Sequence, residues 1–124
     1  MAGPTGRFGP GDRLLRAAEF RTVGELGRRA ADGWFVVLVH DRAPGSLSSR
    51  VRLGVTVSRK VGGAVVRNRV KRGVREWFRS ARAAMRPEID LVVIARRAAA
   101  GRRHAEVDAA LCQLARAAGA GARG

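Results

Sequence analysis

The stretch from residue 64 to residue 85 constrains the fold more than any other part of the sequence. On a helical wheel of about 100° per residue, Val66, Val70, Val74, Trp77, Ala81 and Met85 share one arc. Asn68, Lys71, Arg72, Arg75, Arg79, Arg82 and Arg86 share the opposite arc, with Arg67 and Arg69 at its flanks. The pattern predicts one long helix, introduced by a turn at Gly62–Gly63 and closed by Pro87. At about 1.5 Å per residue, the polar row runs roughly 27 Å from Asn68 to Arg86. The apolar arc, Trp77 included, is read as core packing.

Strand patterns flank this helix. Residues 34–41 (WFVVLVHD) are dense in β-branched and aromatic side chains, and residues 51–58 (VRLGVTVS) alternate as a half-exposed strand does. Residues 89–95 (IDLVVIA) are apolar enough for a buried strand. A first helix is expected over 13–26, with Asp12 as N-cap and Gly24 and Gly27 weakening its second half. A last helix is expected over about 105–118, with Val107, Leu111, Leu114, Ala115 and Ala118 on one face and Glu106 and Asp108 near its N-terminus. The order helix, strands, helix, strand, helix predicts an α+β or α/β sandwich with a small sheet, in one domain. Residues 1–11 and 117–124 are rich in glycine, proline or alanine and read as flexible tails around a domain over 12–116.

Charge is concentrated on the long helix. Of the 25 Lys and Arg residues, 23 are arginine, and the formal net charge is +15. Residues 50–86 carry twelve cations against one anion, Glu76, or +11, whereas the rest carries 13 against 9, or +4. A charge run is ordinarily a solvated face. Here the row holds six cations and no anion, and like charges at i, i+4 cost a few tenths of a kcal/mol per pair. Phosphates would neutralise such a row, and arginine makes planar, bidentate contacts to them, so a polyanionic partner is expected.

Other classes find less support. No run of about eighteen apolar residues suggests a membrane span, and the first residues lack the apolar stretch of a secretory signal, so a cytoplasmic protein is expected. A single cysteine, Cys112, gives no disulfide framework, and the two histidines are far apart in sequence, so no metal site is expected. No paired carboxylates, Ser/His/Asp set or Cys/His pair converges on a catalytic constellation. His40 and His104 are read as structural or solvent-facing, and Cys112 as a packed free thiol. Gly62–Gly63 lacks the Walker pattern of a phosphate loop and is read as a tight turn.

The run RLGVTVSRKVGGAVVRNRVKRGVREWFR (52–79) resembles the signature of the bacterial ribonuclease P protein component, including its arginine-rich RNR helix, here Arg67–Asn68–Arg69 followed by Lys71 and Arg72. Flanking segments match in order: Arg13–Leu14 with Glu19, Phe20, Arg21 and Val23 is similar to the family's first helix, 35–38 to a long strand, and 90–96 (DLVVIAR) to the last strand. The resemblance implies a two-layer α+β sandwich with a small four-stranded mixed sheet and a left-handed βαβ crossover, a ribosomal-protein-like fold whose handedness runs against the usual rule. It implies the protein subunit of an endoribonuclease in which a catalytic RNA removes the 5′ leader from precursor tRNA. That RNA and its substrate would hold the Mg2+ ions, and no catalytic side chain is expected in this chain.

Two surfaces are implied by the resemblance. Arg67, Asn68, Arg69, Lys71, Arg72, Arg75 and Arg79 would contact the catalytic RNA. Phe20 would form a stacking platform for the single-stranded leader, with Ser58, Arg59 and Lys60 nearby. Three departures stand out: Gly24, one turn after Phe20 where relatives often carry a second aromatic, Leu38 where some have tyrosine, and Arg59 where lysine is common. The first two imply weaker stacking of the leader, or more reliance on guanidinium planes. Competing readings are a general RNA-binding or ribosomal-type protein, a DNA-binding regulator, and a stand-alone nuclease. The helix leads into a buried strand with no turn–helix partner, which disfavours DNA, and the carboxylate cluster of a two-metal nuclease is missing.

Overall fold

The computed structural model describes residues 17–42 and 51–121. Three helices and one sheet follow each other as α1 (Ala17–Leu26), β1 (Arg28–Ala31), β2 (Phe35–Asp41), β3 (Arg52–Val57), α2 (Ala64–Ala81), β4 (Ile89–Ala95) and α3 (His104–Ala117). Short 3-10 turns lie at Arg59–Val61, Arg82–Ala84 and Arg97–Ala99. Asp12 and the expected start of the first helix lie outside the described residues.

The sheet runs β1-β2-β4-β3. Strands β1, β2 and β4 pair antiparallel, and β3 pairs parallel to β4, so the sheet is mixed and α2 is the crossover between two adjacent parallel strands. Strand β1 has no apolar periodicity of its own. Its two arginines sit opposite Val39 and Leu38, and the pairing with β2 is what makes it a strand. Gly27 ends α1 because a Cβ there would meet the Val23 carbonyl oxygen at 2.4 Å, and its N–H donates to that oxygen at 2.8 Å. Between β1 and β2, Asp32 Oδ1 accepts from the Trp34 and Phe35 amides, both at 2.8 Å, an Asx turn that fixes the hairpin.

The period of two along each strand sorts side chains to two faces. Phe35, Val37, Val39, Leu53, Val57, Leu91 and Val93 point to one face, where α2 and α3 close over them with Trp77, Phe78, Leu111 and Leu114. The other face carries a smaller cluster, Val36, Leu38 and Val92 beneath Val23 of α1, with Phe20 and Ile94 packed at its edge.

Four expectations need correction. The long helix ends at Ala81 and not at Met85: the chain tightens into the 3-10 turn, and Arg86 turns away, its Nε and Nη2 donating to the Gly119 carbonyl at 3.0 and 2.6 Å. Arg86 Nη1 also pairs with Asp41 at 2.7 Å, so this cation belongs to the scaffold and not to the polar row. Phe78, outside the expected apolar arc, is fully buried. The segment after 117 does not trail off at once: Ala118 and Ala120 are buried, and Met85 pairs with Gly121 in an isolated bridge. Small side chains there allow close backbone approach, which composition alone reads as a tail.

Candidate nucleic-acid interface

Helix α2 is anchored through one face. Val74, Trp77 and Phe78 are buried, and the Trp77 indole N–H donates to Cys112 Sγ at 3.2 Å, tying α2 to α3. Cys112 is therefore an exposed thiol in contact with Trp77 and not a packed one. At the start of the helix, Gly62 is required for steric reasons, since a Cβ would come within 2.9 Å of the Val66 side chain. Arg67 Nε donates to the Gly62 carbonyl at 3.1 Å, so this half-buried arginine also braces the turn.

The opposite face presents the expected cations. Asn68, Arg69, Arg72 and Arg79 are exposed, while Lys71 and Arg75 are half-buried along the same helix. Among the described residues, no carboxylate lies within ion-pair distance of Arg69, Lys71, Arg72 or Arg79. Glu76, the one anion of the helix, faces His104 at 3.7 Å. His104 in turn stands 3.4 Å from Asp108. Arg69, Lys71, Arg72 and Arg79 thus keep their charge without a carboxylate among the described residues, which is costly for a helix unless a polyanion covers it.

The second surface lies on the α1 face of the sheet. Phe20 is half-buried: one side packs on the Val36, Leu38 and Val92 cluster, and the rest stays open. Thr56 is exposed on the same sheet face, opposite Ile94. Ser58 follows just beyond the end of β3, and Arg59 and Lys60 are exposed in the 3-10 turn after it. Gly24 leaves open space on α1, as a Cβ there would meet nothing within 4 Å. Leu38 is buried beneath Phe20 and is not available as a platform.

An ion network that sequence reasoning missed fixes the geometry of this face. Arg52 grips Asp90 bidentately, Nε to Oδ1 at 2.8 Å and Nη2 to Oδ2 at 2.9 Å, and its Nη1 donates to Glu19 Oε2 at 2.6 Å. Arg42 also donates to Asp90 and to the Ile89 carbonyl. The hydrogen bonds that Arg52 donates to Asp90 raise the arginine's pKa above the usual value, outweighing burial, which acts the other way. Glu19 immediately precedes Phe20, so Arg52 couples the sheet to the turn of α1 that carries the aromatic ring. The signal was present in sequence as one buried acid in an apolar strand, 89–95, but its partners lie 38 and 48 residues away.

Among the described residues, no group of three or more His, Cys, Asp or Glu side chains is placed to hold a metal ion. No helix among them is long and apolar enough to cross a membrane. A basic helix on one face of a small mixed sheet, with a half-buried aromatic ring on the other, defines a nucleic-acid-binding α+β domain.

Comparison with known proteins makes the class specific. The Ribonuclease P family model matches residues 8–119. The ribonuclease P protein component of Geobacillus kaustophilus is 37% identical over 107 residues, covering 86% of each chain. That of Desulfatibacillum aliphaticivorans is 44% identical over 86 residues, covering 69% of this chain and 70% of the relative. Among solved structures, the RNase P protein of Staphylococcus aureus superposes with a TM-score of 0.79 at 29% identity, covering 88% of this chain and 96% of that one. The RNase P protein of Thermotoga maritima gives 0.71 at 31% identity, covering 84% and 96%. The chain belongs to the bacterial ribonuclease P protein family. It is a tRNA 5′-processing subunit of an endoribonuclease that works as a ribonucleoprotein, and its partner is the ribonuclease P RNA.

Proposed function

We propose that the chain divides its task between the two surfaces. The exposed face of α2 binds the ribonuclease P RNA: Arg67, Arg69, Lys71, Arg72, Arg75 and Arg79 meet phosphates, and Asn68 hydrogen-bonds backbone or base edges. The cleft beside α1 holds the single-stranded 5′ leader of precursor tRNA, with Phe20 as stacking platform and Ser58, Arg59 and Lys60 at its end. Base stacking on an aromatic is worth about 1–3 kcal/mol and tolerates any base, which suits a subunit that meets many leaders. Cleavage belongs to the RNA, with Mg2+ held mainly by the RNA and its substrate. The protein supplies cation density, so the complex works at lower Mg2+ in the cytoplasm. The observation that carries this reading is the run of exposed α2 cations with no carboxylate partner among the described residues.

Reconstitution with the cognate RNA tests it. The protein should restore leader removal at low Mg2+, and Lys71→Glu with Arg79→Glu should abolish assembly while circular dichroism stays unchanged. If six to ten phosphates are neutralised, affinity falls roughly 10³–10⁵-fold between 50 and 200 mM salt. A flat salt response, or normal assembly of the double variant, sinks the assignment. Equal competition by duplex DNA would favour a general nucleic-acid binder.

A further inference from the structure

One flank of α2 borders a groove that shares Arg69 and Arg72 with the surface above but whose other lining residues that reading leaves unused. It has a volume of about 600 Å3, within the roughly 300–1,000 Å3 common for small-ligand sites. Val66, Val70 and Val107 contribute to an apolar floor. The rim carries Arg69 and Arg72 from α2, facing Arg102 and Arg103 from the loop that leads into α3. Four guanidinium groups stand against one lining carboxylate, Glu76, and a second carboxylate, Glu106, lies 3.7 Å from Arg103 Nε outside the groove lining.

Two features of the groove bear on what it could hold. The Arg102 guanidinium lies 4.7 Å from the centre of the Trp34 ring, and its Nε donates to the Ala98 carbonyl at 2.9 Å. Stacking and this bond hold the side chain in place, while its Nη groups make no hydrogen bond among the described residues. Gly73 also lines the groove, in the interior of an 18-residue helix where glycine is unfavourable. A Cβ on Gly73 would meet nothing within 4 Å, so no neighbour in the described chain requires glycine there. A bare backbone beside four cations suits a partner that approaches closely.

We infer that this groove seats one unpaired nucleotide of the ribonuclease P RNA, its base or sugar on the apolar floor beside Gly73 and its flanking phosphates between the α2 and loop arginines. The inference rests on the reading that α2 faces this RNA, and it extends the interface from one helix face to a two-sided clamp. Unpaired loops and bulges of RNA supply nucleotides free to leave a stack. The charge excludes a plain apolar guest.

The test uses the full chain with its cognate RNA, measuring affinity against salt, melting temperature and base-reactive chemical probing of the RNA. Gly73→Leu fills the groove. It should melt at or above the unaltered protein, bind the RNA at least tenfold more weakly, and leave one formerly protected unpaired nucleotide reactive. Gly73→Ala, which adds only a Cβ into empty space, should give a smaller loss in the same direction and decides the matter if leucine impairs folding. Arg102→Gln with Arg103→Gln should lower the slope of log affinity against log salt by roughly 1.5, from two lost phosphate contacts. Gly73 variants that keep full affinity and the same protection pattern overturn the proposal. So does a weakened Arg102/Arg103 variant that exposes no nucleotide, since those cations would then touch phosphates outside the groove. Failure of the underlying α2 reading is distinct: it appears as normal assembly of the Lys71/Arg79 variant.

Discussion

The two faces of the sheet are built on different terms. One is closed by α2 and α3 over a continuous apolar core that includes Phe35, Phe78, Leu91 and Leu111. Among the described residues, the other has only α1 on it, four buried apolar residues, and an ion network that ties α1 down through Glu19, Arg52 and Asp90. Apolar packing holds the first face shut, whereas the second is held in position by directed polar contacts and stays open beside Phe20. The closed face carries the fold and displays the basic helix outward, and the other face leaves Phe20 partly exposed beside α1.

The sharpest way to break this contrast is to cut the closed face. Phe78→Ala removes a fully buried ring and should destabilise by about 3–5 kcal/mol in urea unfolding. A loss below about 1 kcal/mol would mean that the core does not carry the fold. On the open face, Asp90→Asn removes the carboxylate that Arg42 and Arg52 share, leaving Arg52 with Glu19 alone. Asp90 is buried, with 6% of its side chain exposed, but Arg52 keeps 23% exposed, so solvent blunts the penalty to about 2–3 kcal/mol. Its larger consequence should be on precursor binding, through the displaced α1.

Phe20→Ala should sharpen the comparison further. It should weaken precursor tRNA binding by about 1–3 kcal/mol and mature tRNA binding much less. Equal losses on both would assign Phe20 to packing alone. The smallest effect concerns Asp41, which pairs with Arg28 at 3.1 Å and Arg86 at 2.7 Å at the edge of the closed face. Burial raises its pKa, but the hydrogen bonds from Arg86 and Arg28 outweigh it and hold the carboxyl below its usual value of 3.8. The folded-state value is depressed, so the contribution is present at neutral pH and fades as pH falls below about 4. Asp41→Asn should cost no more than about 1 kcal/mol at pH 7, because the pair is largely exposed, and its unfolding curve should converge with the unaltered protein's in acid. A gap that persists at pH 2 would show that the carboxylate's charge is not what matters.

Much of this was readable in the linear chain because the responsible signals are local. The helix over α2 and its basic face follow from side-chain periodicity, and β4 was bounded correctly at both ends by its apolar run. The turn at Gly62 agrees with what the residues suggested. Strand β1 was not legible: two arginines and two alanines carry no strand signal until Val39 and Leu38 lie opposite them. Nor was the groove of Arg102 and Arg103, since it requires the loop before α3 to come against α2.

By itself the sequence determined where α2, β2, β3, β4 and α3 lie, the main apolar and cationic faces of α2 and the family, because these depend on spacing along one chain. Tertiary structure alone decided which long-range pairs form: Arg52 with Asp90 and Glu19, Arg86 with Gly119, and Ala118 and Ala120 in the core. Those pairings are set by where the sheet brings distant residues together. Nothing in the local pattern around Arg52 or Arg86 separates a cation that grips the scaffold from one left facing solvent.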